Sequence, residues 1–173
     1  MVFHLKKEGF SVIRVLLSIL FIMASAKFMI PLPFHPVPIT AQLIAVYFVG
    51  LVLSPMESFV AVLGYVVSGI CGLPVFCGGA WGSPGSGYLV GMIIAAPVIG
   101  ILLKRGFSSI TSCIGGCAIV HLGGCVWLAK FGSPFSFVVA VGMTPFLAIN
   151  ALKIAVVCGG LFLYKKIKQK KAD

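Results

Sequence analysis

Lys153 falls well inside the last and longest apolar run of a 173-residue chain, where an ammonium group costs about 2.5–3.5 kcal/mol on insertion scales. Asn150, the one asparagine in the sequence, stands three residues earlier and so shares its face of a helix. An amide beside an ammonium offers hydrogen bonds and one positive charge, which suits an anionic ligand with a polar head. A lysine at this depth can instead snorkel or bond the carbonyls of a neighbouring helix. Ionisable groups within a membrane are functional by default, which favours a ligand.

A second set, Cys113, Cys117, His121 and Cys125, recurs every four residues along one helix face. Zinc takes Cys and His ligands, but this stripe extends about 18 Å and a zinc ion holds its ligands at about 2.0–2.3 Å. At most two neighbours reach one ion, and no carboxylate is near. The stripe is expected to be a packing face of small residues, with no metal. The six cysteines, at 71, 77, 113, 117, 125 and 158, form no Cys-x-x-Cys and lie in apolar runs, where the thiol behaves as a small hydrophobe.

These residues must be positioned by membrane helices. Sixty per cent of the chain is hydrophobic and 9% charged, far from the roughly 25% charged residues of a soluble domain. Apolar runs predict a single all-α transmembrane domain with six spans near 13–30, 39–53, 59–73, 87–103, 110–128 and 137–164, then a basic tail over 165–173. Prolines 31, 33, 36 and 38, Ser54-Pro55, the 78–87 stretch, Lys104-Arg105-Gly106 and Gly132-Ser133-Pro134 punctuate them. Pro145 predicts that the last helix starts near it, or is kinked there.

Charge distribution orients the spans. With both termini inside, ten of the 13 Lys and Arg lie on the cytoplasmic side, and Lys27, Lys130 and Lys153 are the others. A multi-pass protein of the cell (inner) membrane with cytoplasmic termini is expected. Ala24-Ser25-Ala26 after a basic start also mimics a signal-peptide cleavage site, but cleavage would spoil this charge balance. A net charge of +10 at chain ends and in one loop matches anionic lipid, and no basic stripe interleaved with aromatics points to nucleic acid.

Absences narrow the chemistry. The sequence has no P-loop, its acids are Glu8, Glu57 and Asp173 outside the expected spans, and no nucleophile–base or carboxylate pair stands at membrane depth. These absences argue against an ATPase, a proton-coupled carrier and an enzyme. Gly87-x-x-x-Gly91 followed by Ala95 predicts a close helix–helix seam. Pro31 to Pro38 predicts a stiff, extended lid holding Phe34 and His35 on the non-cytoplasmic face, where Phe76, Trp81 and Tyr88 also belong.

Ile30-Pro-Leu-Pro-Phe-His-Pro-Val-Pro-Ile-Thr-Ala-Gln42, Gly72-Leu-Pro-Val-Phe76 and Ser83-Pro-Gly-Ser-Gly-Tyr-Leu-Val-Gly91 resemble, in order and spacing, the BioY family, the biotin-specific S components of energy-coupling-factor (ECF) transporters. The resemblance implies a six-helix S-component-like bundle with an outward-facing substrate pocket, closed by the loops after the first and third helices. Its Asp-x-x-Lys pair maps onto Asn150 and Lys153, so the carboxylate that would neutralise the lysine is missing here. The stretch from Cys77 to Ser86 holds no basic residue where relatives have an arginine, and Ser18, Ala24 and Ala26 do not make the family's Ala-x-x-x-Ala docking seam.

Biotin suits these residues: Lys153, Asn150, Gln42, Thr40 and Tyr88 for its polar groups, Phe76 and Trp81 for its apolar ones. The implied partners are biotin, the bilayer and either a transmembrane coupling subunit with ATPases or none, the chain then acting alone or as a homo-oligomer. The alternatives are an S component for another small neutral or anionic vitamin, and a membrane scaffold without ligand.

Overall fold

A computed structural model describes residues 9–31, 37–77, 79–130, 138 and 144–170. Six α-helices occur among them: α1 Val12–Ala26, α2 Gln42–Val52, α3 Pro55–Ile70, α4 Ser86–Lys104, α5 Ser109–Ala129 and α6 Thr144–Lys170. Two short strands, β1 Met29–Ile30 and β2 Ile39–Thr40, pair antiparallel with Met29 opposite Thr40 and Ile30 opposite Ile39. This hairpin ends the first expected span early, at Ala26, and delays the second to Gln42. The expected proline-rich lid, with Phe34 and His35, falls largely outside the described residues.

Helix starts follow local chemistry. Ser11, Ser54 and Ser108 each cap a helix by accepting a backbone N–H three residues on, and at α3 Glu57 completes a capping box with Ser54, with Pro55 in the first turn. Glu57 therefore belongs to the first turn of α3 rather than to the loop before it. Its Oε1 accepts from the Ser11 N–H (2.9 Å) and from Arg14 Nη2 (3.0 Å), and its Oε2 from the Ser54 N–H (3.0 Å). One carboxylate thus joins the starts of α1 and α3, and each of its oxygens has a donor.

The helices are unequal. Those of α4, α5 and α6 are long and apolar enough to cross a membrane, whereas α1, α2 and α3 are shorter apolar helices. At about 1.5 Å per residue, the 11 residues of α2 extend about 16 Å, half the hydrocarbon thickness of about 30 Å. Irregular backbone therefore completes one end of the bundle, the β hairpin and the α3–α4 connection folding over the short helices. Such backbone is tolerated at membrane depth where it is buried in protein or lines a cavity.

α4 and α5 form the tightest seam. A Cβ at Gly91 would stand 2.7 Å from Val120 Cα and 3.0 Å from its carbonyl oxygen, and one at Gly123 would stand 2.8 Å from the Gly87 carbonyl. Only hydrogen at these positions lets the two backbones approach. α1 contributes Ile22 and Ala26 to the core at 0% and 1% exposure, so this helix is built into the bundle. Gly91→Ala is expected to cost about 1–3 kcal/mol through overpacking against the α5 backbone. A thermal melt in detergent measures this, and an unchanged melting temperature would mean that α4 and α5 do not meet at this glycine.

Candidate functional site

The hairpin, the α3–α4 connection and the upper parts of α2, α4, α5 and α6 surround a pocket with about 650 Å³ of empty space, its open mouth included. Each wall comes from one element: Thr40 from β2, Gln42 and Leu43 from the start of α2, Tyr88, Leu89 and Met92 from α4, Val120 and His121 from α5, Phe146, Asn150 and Lys153 from α6. Phe76 and Cys77 close it from the α3–α4 connection.

The polar wall is the α6 face. Asn150 and Lys153 are buried at 2% and 8% exposure, one helical turn apart. The lysine ammonium has no ion pair among the described residues, because the one described carboxylate, Glu57, is taken by Arg14 at the start of α3. A buried cation left in this state carries a desolvation cost of several kcal/mol that a negative partner offsets.

His121 is the member of this wall that the sequence assigned to helix packing. It falls on the cysteine stripe expected to serve packing alone, yet its ring enters the pocket beside Tyr88 and Phe146, with ring centroids 6.1 Å from each. Its Nδ1 stands 2.8 Å from the Cys117 carbonyl oxygen and its Nε2 3.1 Å from Asn150 Nδ2. A carbonyl only accepts, so in the neutral ring Nδ1 carries the hydrogen and Nε2 accepts from the Asn150 amide. Asn150 Oδ1 is then buried without a hydrogen bond, on a residue that lines the cavity. A histidine one turn from two cysteines signals nothing until the rotation of α5 relative to α6 is known.

Gln42 supplies the opposite wall. The Cys77 thiol donates to its Oε1 (3.4 Å), and burial pushes that thiol above its ordinary pKa, keeping it a protonated donor at neutral pH. The other end of the amide, Nε2, is buried without a hydrogen bond. Two side-chain amides that line the cavity thus each keep one buried polar atom without a hydrogen bond, beside the Lys153 cation. Buried polar atoms of this kind cost about 1–3 kcal/mol each when unmet, so a ligand that meets them binds strongly.

Aromatic rings roof the mouth. Phe76 packs edge-on against Tyr65 (5.8 Å) and lies flush on Gly69, where any side chain would collide with its ring. Trp81 stands in a second layer, 6.4 Å from Phe76 and 6.2 Å from Trp127, and does not line the cavity itself. Trp127 Nε1 donates to the Ser83 carbonyl (3.1 Å) and Lys27 Nζ to that of Pro74, tying the α3–α4 connection to α5 and α1. Gly79 and Gly82 sit at φ +124° and +96°, a left-handed backbone that only glycine adopts without strain.

Fold and pocket define a multi-pass membrane protein built around a cavity with a cationic, amide-lined wall. The solved structure of the S-component for biotin from an ECF-type ABC transporter superposes with a TM-score of 0.79 over 89% of this chain and 92% of that one, at 22% identity, which establishes an S-component fold. Residues 4–170 match the profile of the BioY family. The probable biotin transporter BioY of Pyrococcus horikoshii is 34% identical over 69% of this chain and 75% of its own length. The biotin transporter BioY of Thermotoga maritima is 33% identical over 73% and 80%, and the biotin transporter BioY2 of Lactococcus lactis subsp. cremoris 31% over 79% and 81%. The chain belongs to the BioY family, a class of transporter components and not of enzymes.

Because buried Lys153 has no ion pair among the described residues, Lys153→Met is expected to raise the melting temperature of the protein without added biotin by several degrees. A lower melting temperature would mean that the ammonium is already satisfied within the bundle.

Proposed function

We infer that the chain takes up biotin, binding it in the pocket between the hairpin, the α3–α4 connection and α6. The observation that carries this is the pairing of an unneutralised buried Lys153 with unmet amide groups on Asn150 and Gln42 in an otherwise apolar and aromatic cavity. Biotin has a carboxylate for the cation, a ureido group whose N–H and C=O complement the two amides, and an apolar ring and chain for Phe76, Tyr88, Leu89 and Met92. Its flexible methylene chain lets the carboxylate reach Lys153 while the ring stays between the amides. Membership of a family whose relatives are described as biotin transporters supports the same ligand.

Binding of radiolabelled biotin to the detergent-purified chain, competed with biotin methyl ester and with thiamin, tests this. Saturable binding that resists thiamin and is competed poorly by the ester is expected, and Lys153→Met is expected to weaken it by about 1.5–3 kcal/mol, the range for a hydrogen bond to a charged group. A folded, monodisperse protein that binds no biotin would contradict the assignment.

The basic end of the molecule, opposite the pocket, is assigned to the cytoplasm. Lys104, Arg105 and the α6 end from Lys165 to Lys170 gather there, where anionic lipid favours them. The pocket then opens outward from the cell (inner) membrane. The chain holds no ATP-binding P-loop of its own, and its S-component fold suits docking on a transmembrane coupling subunit served by ATPases. A single cysteine introduced at Lys168, in a background lacking the native cysteines, is expected to react with a membrane-impermeant maleimide in inverted vesicles and not in intact cells. The reverse pattern would overturn the orientation.

A further inference from the structure

A carboxamide can present either its oxygen or its nitrogen to a ligand, and at Asn150 the bundle chooses. His121 Nδ1 is committed as donor to the Cys117 carbonyl (2.8 Å), one turn back on the same helix. Nε2 is thereby an acceptor, and at 3.1 Å it accommodates Asn150 Nδ2 and would repel Oδ1. The imidazole cannot turn away, because Tyr88 and Phe146 flank it at 6.1 Å on two sides and it is 3% exposed. Asn150 Oδ1 is left a buried acceptor without a hydrogen bond, on a residue that lines the cavity one turn from Lys153.

We propose that His121 is a positioning residue that locks the Asn150 carboxamide with Oδ1 toward the ligand, so that the pocket selects an N–H donor at this point and rejects an acceptor. The selectivity has a simple origin. A ligand N–H meets Oδ1 directly, whereas a ligand oxygen there faces another oxygen, and Asn150 cannot turn over to help without breaking its bond to His121. Sites that hydrogen-bond a ligand discriminate strongly against analogues that leave their polar groups unmet. The inference rests on the biotin assignment and deepens it, placing one ureido N–H on Asn150.

The test uses biotin and its two cyclic carbamate analogues, in which one or the other ureido N–H is replaced by oxygen with little change of shape. Each is titrated against the purified full chain and against His121→Gln and His121→Asn. Glutamine can place an oxygen near the position of Nε2 and still accept from Asn150, whereas asparagine reproduces only the Nδ1 end and falls short. Wild type and His121→Gln are expected to prefer biotin over one carbamate by at least about tenfold, the scale of one unmet buried group. In His121→Asn that preference is expected to collapse toward unity, because Asn150 is free to turn its Nδ2 to the carbamate oxygen. If His121→Asn does not purify as monodisperse protein, His121→Phe, which fits between the same two rings, carries the same expectation. A preference unchanged in these variants, or equal losses for all ligands, would reduce His121 to a packing residue and overturn the inference alone. A folded wild-type chain that binds no biotin would instead overturn the proposed function on which it rests.

Discussion

A lysine ammonium buried among helices without a carboxylate to neutralise it is unstable by itself, and the rest of the pocket makes sense around that fact. The chain is poor in acids, and the one described carboxylate is consumed at the start of α3 by Arg14 and by two backbone N–H groups. The two charged features of the bundle are thus handled in opposite ways. Glu57 takes three donors and joins α1 to α3, whereas Lys153, buried at the pocket wall, has no ion pair among the described residues. Saturated buried charges are structural, and incomplete ones create a demand that a ligand can fill.

Unequal helix lengths give that demand a place. α2 ends far short of a membrane span, so the hairpin and the α3–α4 connection enter the bundle instead of capping it from outside. Their backbone is anchored by the bonds of Lys27 to Pro74 and of Trp127 to Ser83, and their rings stack into a roof over the cavity. Elsewhere the glycines of α4 and α5 draw two long helices together until their backbones touch, a rigid wall against which α6 presents its polar face.

Much of this was legible in the sequence because membrane folding simplifies the code. Apolar runs gave the helices, proline and glycine their ends, and the small-residue spacing of Gly87, Gly91 and Ala95 the seam. Lys153 and Asn150 were visible as exceptions to an apolar background. Three things were not. The β hairpin replaced the ends of two apolar runs, since short strands and helix ends share a composition. Glu57 looked like a loop residue because its partners, Ser11 and Arg14, are remote in sequence. His121 looked like packing, because its role depends on the rotation of α5 toward α6, a tertiary quantity that no single-helix pattern contains.

The central claim is that Lys153 is completed by the carboxylate of biotin. A structure of the full chain with biotin bound tests this most directly. One carboxylate oxygen is expected within about 2.7–3.2 Å of Lys153 Nζ, the range of a charge-assisted hydrogen bond. A carboxylate held elsewhere, with Lys153 Nζ still without a negative partner, would contradict it.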